Sequence, residues 1–169
     1  MPCARFLIHS RKNNTMENQF LFKKFKASNR DLYSQNINLR NKILREPLGK
    51  SLSADDLLIE KNNQFYGILS NQKLIATLSS YETDNSVIRL VAVAVDTNFQ
   101  KQGIGSLLLK QVIDDYQHRG YGTFNLIARV SAHGFYLKNG FQDIFGPFKN
   151  RHLDVTDYGM QRVIECKQG

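Results

Sequence analysis

The sequence predicts a mixed α/β chain in the order β-α-(α)-β-β-β-α-β-α-β, and three observations carry that reading. Val91 to Val95 is a continuous apolar run that leads through a polar turn into an amphipathic helix opening at Ile104. Phe124, Leu126 and Ala128 alternate with other residues, as a half-buried strand requires. A short helix follows, and Asn139 with Gly140 supplies its stop signal. Between residues 65 and 95 three strand-like runs succeed one another with turn residues between them.

Taken in order, Phe20 to Phe25 reads as the first strand. Ser28, Asn29 and Asp31 form a helix-start signal, and the helix runs through Leu32, Leu39 and Ile43 with Lys42 and Arg45 near its end. Pro47 and Gly49 end it, because proline biases the preceding residue away from helix. Asp55, Asp56 and Glu60 mark a short acidic segment, read as a second helix. Phe65 to Leu69 and Lys73 to Tyr81 are two strands joined by a turn at Ser70, Asn71 and Gln72. Val87 to Val95 is the next strand, and its unbroken apolar core implies burial on both faces. From Ile104 the apolar stripe is 104, 107, 108, 112 and 116, closing at His118, Arg119 and Gly120. Ser131 is the expected N-cap of the short helix after the 123–128 strand. The elements together give a mixed sheet with helices on both faces.

At 169 residues the chain is long enough for one domain with a sizeable core. Residues 1–15 are polar and basic, and Met16 begins again like a natural start. That stretch is expected to be a disordered extension or an unused upstream start, with residues 16–169 as a single domain. Cys3 and Cys166 form no metal motif or disulfide framework, so a reducing cytoplasm is the expected setting. No apolar run reaches the length of a membrane span. The net charge of +8 is unevenly placed: residues 1–50 carry 11 Lys or Arg against 3 Asp or Glu, and residues 51–169 carry 12 against 12. A basic first segment is either a solvated face or an attractor of acidic acceptors. Nucleic acid is the weaker partner, since no recognition motif accompanies the charge. The four histidines are scattered without a ligand spacing, so no metal is expected.

The turn before Ile104 is where chemistry is most legible. A helix N-terminus presents unpaired backbone N–H groups and a partial positive charge, which together seat an anion. Glycines at 103 and 105 allow close approach. A Walker loop is excluded, because Ser106 and Leu107 follow Gly105 where lysine is required. A dinucleotide fingerprint needs a third glycine at 108, which is leucine. The remaining pattern is Gln/Arg-x-x-Gly-x-Gly/Ala after a strand, with Gln100 in first place.

On Gln100, Gly103 and Gly105 the chain resembles the GNAT superfamily of N-acetyltransferases, and Ala132, Phe135, Tyr136, Gly140 and Phe141 match that family's second pattern. The resemblance implies the acyl-CoA N-acyltransferase fold, in which strands 87–95 and 123–128 splay apart. It implies that Gln100, Lys101, Gln102, Gly103, Ile104, Gly105 and Ser106 hold the pyrophosphate of acetyl-CoA. The backbone of Val93, Ala94 and Val95 is expected to pair with the pantetheine arm, with an N–H near Ala94 or Val95 as oxyanion donor. Tyr136 is the expected general acid and also touches the coenzyme. Two positions depart from the pattern. Arg89 stands where many members carry a glutamate base, and Arg129 stands where an asparagine often meets the coenzyme.

Arg89 cannot accept a proton, so the candidate bases are Glu82 and Asp84 acting through water, and His152, which is implied by a loose resemblance of residues 148–160 to a tail in one bacterial subgroup of the family; His133 stands behind them. The expected activity is therefore transfer of an acetyl group from acetyl-CoA to the primary amine of a small molecule, by direct attack in a ternary complex. A non-catalytic acyl-CoA- or partner-binding module using the basic N-terminal region is the alternative. Oligomeric state is not written in the chain, and a homodimer is compatible with it.

Overall fold

A computed structural model describes Arg5, Phe6 and residues 20–165. The elements are β1 (Arg5–Phe6), β2 (Phe20–Phe25), α1 (Arg30–Arg40), α2 (Ala54–Ile59), β3 (Gln64–Ser70), β4 (Lys73–Thr83) and β5 (Val87–Val95), then α3 (Ile104–Gln117), β6 (Thr123–Arg129), α4 (His133–Lys138), β7 (Gln142–Asn150) and β8 (Val155–Val163). The strands form a mixed sheet ordered β1-β2-β3-β4-β5-β6-β8-β7. The expected α/β class with a mixed sheet is therefore the fold observed. Apart from Arg5 and Phe6, which pair with Leu21 and Phe20, the expected extension at 1–15 lies outside the described residues, as do Cys3 and Cys166. No helix among the described residues is long and apolar enough to cross a membrane.

The chain divides into two compact units, residues 1–79 with 92–108 and residues 80–91 with 109–169. In the first, β2 runs antiparallel to β3 from Phe20–Ser70 to Phe25–Phe65. Phe25, Leu39, Phe65, Leu69, Leu74 and Ala94 form its buried core, with Leu32, Tyr33, Ile43 and Leu44 packed against them. The ring of Phe65 is stacked on Phe25 and met edge-on by Tyr33. Asn29 caps α1 by accepting from the Leu32 N–H, and Ser53 with Asp56 closes a reciprocal capping box on α2. Helix α1 passes into a wider turn at Asn41–Arg45, then a 3₁₀ turn at Glu46–Leu48, and ends at Gly49 with φ +67°. The Asn71–Gln72 turn has φ of 48° and 66°, the left-handed pair that matches the twist of a tight hairpin.

A buried polar network runs from α1 outward. Tyr33 Oη and Arg40 Nη1 both donate to Glu60 Oε1 at 2.7 Å, Arg40 also reaches Asn36, and Asn36 Nδ2 donates to Thr77 Oγ1 at 2.7 Å. Pairing with Glu60 and the bond to Asn36 offset the cost of a charge pair this deep, although Arg40 Nε has no partner among the described residues.

In the second unit Ile88, Leu90, Leu109, Val112, Ile113, Tyr116, Phe124, Leu126, Ala128, Phe141 and Met160 are buried. β5 is in parallel register with β6 at Val87–Thr123, Ile88–Phe124 and Arg89–Asn125. β6 is registered antiparallel to β8 along its whole length, from Thr123–Val163 to Arg129–Asp157.

The structure departs from expectation in four places. The single terminal strand is two, β7 and β8, joined in a hairpin. β7 is largely exposed and carries Gly146 and Pro147, so it lacks both the alternation and the composition that announce a strand. Ser131 does not cap α4: a 3₁₀ turn at Val130–Ala132 precedes the helix, and Ala132 caps it with no side-chain bond. β5 is not buried on both faces. Ile88, Leu90 and Ala94 are buried, while Val91, Val93 and Val95 are half-exposed. In α3 the buried stripe includes Leu109 and Ile113, and Leu107 is only half-buried.

Candidate functional site

The loop between β5 and α3 is built in the first unit, and it starts from a buried carboxylate. Asp96 is 2% exposed, its N–H donates to the Ile75 carbonyl at 2.7 Å, and its Oδ1 accepts from the Asn98 N–H at 3.0 Å. Lys42 and Lys73 approach Oδ2 at 3.4 and 3.8 Å. The Asn98 N–H, opposed by burial and aided by the two lysines, holds this carboxyl below the usual carboxylate range. Gln100 Nε2 ties back to the Val95 carbonyl at 2.9 Å, and Gln102 Nε2 to the Asn98 carbonyl at 3.0 Å. These two side chains therefore brace the loop from within.

Lys101 and Gly103 take positive φ, 60° and 80°. Alternation of left- and right-handed residues turns successive N–H groups toward one concavity, an arrangement that favours anions. The first bond of α3 in this turn is Leu107 N–H to the Gly103 carbonyl at 2.9 Å. The N–H groups of Lys101, Gln102, Gly103, Ile104, Gly105 and Ser106 donate to no acceptor among the described residues. Ile104 is buried, which anchors the helix start, whereas Gln100, Lys101, Gln102 and Gly103 are exposed.

Replacing Asp96 by asparagine tests the anchor. A lowered carboxyl pKa stabilises the fold fully above about pH 4 and is lost as pH falls through the folded value. Thermal and urea melts are expected to show Asp96→Asn less stable by about 1–2 kcal/mol at pH 7, with the two proteins converging in acid. Parallel curves at all pH values would mean that the charge does not hold the loop.

The strand feeding this loop is not regular. Ala92 adopts φ +55° inside β5, a left-handed residue with a Cβ that costs about 1–2 kcal/mol. It breaks the pleat immediately before Val93, Ala94 and Val95. Ala94 points into the first unit's core, so Val93 and Val95 present the half-exposed side of the strand end.

The second unit holds the other expected residues. Tyr136 lies on α4, with its ring edge-on to Phe135 at 5.1 Å and to Phe141 at 5.8 Å. Its hydroxyl has no hydrogen-bond partner among the described residues. Burial pushes the phenol up from its ordinary value, against a smaller opposite pull from the Arg129 charge. Arg129 ends β6, in register with Asp157. These two expected residues, Tyr136 and Arg129, are thus electrostatic neighbours.

His152 is not among them. It occupies the exposed turn between β7 and β8, its N–H donating to Asn150 Oδ1 at 3.1 Å. Glu82 accepts from Tyr121 Oη at 2.8 Å, and Asp84 is exposed on the β4–β5 turn. His133 is engaged instead of free: its Nε2 meets Asp143 at 2.7 Å and its ring stacks on Tyr158 at 4.0 Å.

Three features were missed by the sequence reading. Asp96, two residues before Asn98, carries an Asx-turn signal that could have been read. Asp157, 2% exposed with Oδ2 held by Asn150 and Oδ1 without a partner among the described residues, gives no sequence signal. The juxtaposition of Arg89 with Asn125 depends on strand register, which no spacing discloses. Among the described residues no group of three metal-ligating side chains gathers.

The acetyltransferase (GNAT) family model matches residues 31–141. A Bacillus anthracis protein described as an uncharacterized N-acetyltransferase is 30% identical over 107 residues, which cover 58% of this chain and 65% of that protein. The chain thus spans about 65% of the length of the curated relatives it matches. Among solved structures, a provisionally described N-acetyltransferase from Lactobacillus plantarum aligns with TM-score 0.73 at 20% identity, over 84% of this chain and 97% of that one. The NatC complex bound to Gag peptide and CoA aligns with TM-score 0.69 at 15% identity, over 86% and 99%.

Proposed function

Because the chain belongs to the acetyltransferase (GNAT) family, we propose that it transfers the acetyl group of acetyl-CoA to the primary amine of a small molecule by direct attack. The observation that carries this reading is the run of unpartnered amides from Lys101 to Ser106 at the start of α3. A diphosphate is the ligand that such a concavity fits, since it accepts several N–H bonds at once and lies at the positive end of a fourteen-residue helix. Gln100 and Gln102 brace the loop, and Lys101 supplements its positive field. The half-exposed end of β5 at Val93 to Val95 supplies strand backbone for the pantetheine amides, and an N–H at Ala94 or Val95 the donor for the thioester oxygen. Arg129 contributes a cation to the coenzyme's polar groups.

The reaction needs few protein groups. The neutral amine nitrogen bonds to the thioester carbonyl carbon, the C–N bond forms, and the C–S bond breaks. The departing sulfur takes the proton of the Tyr136 hydroxyl. The amine's surplus proton leaves to solvent or to His152. Tyr136 is then reprotonated from water, leaving an amide and free coenzyme A.

The test is thiol release from acetyl-CoA in the presence of a panel of primary amines, with the acetylated product identified by mass. Release that depends on both protein and amine is the expected result. Tight coenzyme A binding without amine-dependent release would overturn the catalytic reading and favour a binding module.

A further inference from the structure

Four buried side-chain polar atoms have no hydrogen-bond partner among the described residues, and two of them belong to one register row of β5 and β6: Arg89 Nε and Asn125 Oδ1. Arg89 and Asn125 are register partners, so their side chains leave the sheet on the same face. They occupy the last row in which the two strands are paired. Ile88, Leu90, Phe124 and Leu126 bury the opposite face, which leaves the arginine no apolar role in that core. Arg89 forms no ion pair among the described residues, although it is half-buried. A guanidinium kept half-dry without a counter-charge is costly, and an apolar residue would serve the strand better. Arg129 emerges on the same face four residues along β6 and adds a second positive charge there.

We infer that Arg89 and Asn125 form an acceptor subsite that binds a carboxylate, so that the amine acetylated by this protein belongs to a molecule that also carries a carboxylate group. This rests on the amine-acetylating reading above. A guanidinium offers parallel N–H donors in the geometry that a carboxylate matches. Asn125 completes the contact by a half-turn of its amide, which exchanges Oδ1 for Nδ2. Where the family pattern would put a glutamate that takes a proton, this chain puts a group that selects the acceptor.

The experiment compares amino acids with their decarboxylated counterparts as acceptors: glycine with methylamine, 4-aminobutyrate with propylamine, and lysine with 1,5-diaminopentane. Thiol release is followed at fixed acetyl-CoA. In at least one pair the carboxylate-bearing member is expected to have the higher kcat/KM by about tenfold or more, mainly through KM. Arg89→Met should bring that ratio close to one, and Arg89→Lys should keep part of it. The ratio is measured on one protein sample, so a partly misfolded variant does not distort it. Equal rates within every pair, or faster amines, would overturn the subsite while leaving the acetyltransferase reading intact. If no amine releases thiol, the activity and this subsite fall together.

Discussion

Replacing Gly103 by valine is expected to weaken coenzyme A binding about a hundredfold, or about 2.7 kcal/mol. Two costs combine. Gly103 stands at φ +80°, where a β-branched residue pays about 1–2 kcal/mol of strain. The loop escapes that strain by turning the peptide, which misdirects at least one of the N–H groups proposed to meet the diphosphate, each of which would be a charge-assisted bond. The fold itself should tolerate the change, because a Cβ at 103 would meet no other atom within 4 Å. Calorimetric titration with coenzyme A reads the affinity directly. Asparagine, which accepts left-handed backbone more readily, is the graded control and should lose several-fold less. A valine variant that binds within twofold of the parent would sink the assignment of this loop to the diphosphate.

The same loop shows why some of this protein could be read in advance. Strand 87–95, the turn and the helix opening at Ile104 have a local cause: apolar run, glycine positions and the onset of a 3.6-residue period lie within twenty residues of one another. The bounds of β2 and β5 were likewise legible because turn residues stand at both ends. What stayed hidden was set by contacts between distant segments. β7 owes its place to pairing with β8 across bulges, where the Phe145 ring packs over Gly159 so closely that a Cβ there would collide with it. Composition alone gave Gly146 and Pro147 the look of a loop. The left-handed turn at Ala92 interrupts β5 with no glycine to mark it. The polar row of Arg89 and Asn125 exists only through the register of two strands thirty-six residues apart. For the candidate site, the loop with its unpartnered amides was written locally, whereas the row of Arg89 and Asn125 had to be found in the fold.

Removing one oxygen from α4 should have the largest effect of all. Tyr136→Phe is expected to lower kcat by about 10²–10⁴-fold, the usual contribution of a general acid, with little change in the KM for acetyl-CoA. The geometry makes this a clean substitution. The ring contacts with Phe135 and Phe141 survive in phenylalanine, and the hydroxyl that is lost holds no partner among the described residues. The melting temperature should therefore stay the same or rise slightly. Burial raises the phenol's pKa above its ordinary value near 10, and the Arg129 charge only partly offsets this. The sign of that shift matters: the proton-bearing form persists to higher pH than in a free tyrosine, so the acid is fully loaded throughout the neutral range. Accordingly, kcat in the parent protein should show no falling limb from this group up to about pH 10, and the variant's deficit should be constant from pH 6 to pH 9. A threefold or smaller drop in kcat at unchanged melting temperature would reduce Tyr136 to an aromatic packing residue. A deficit that shrinks as pH rises across that range would instead mean that the parent loses its proton early, from a group with a lowered pKa, and would move the role of acid away from α4.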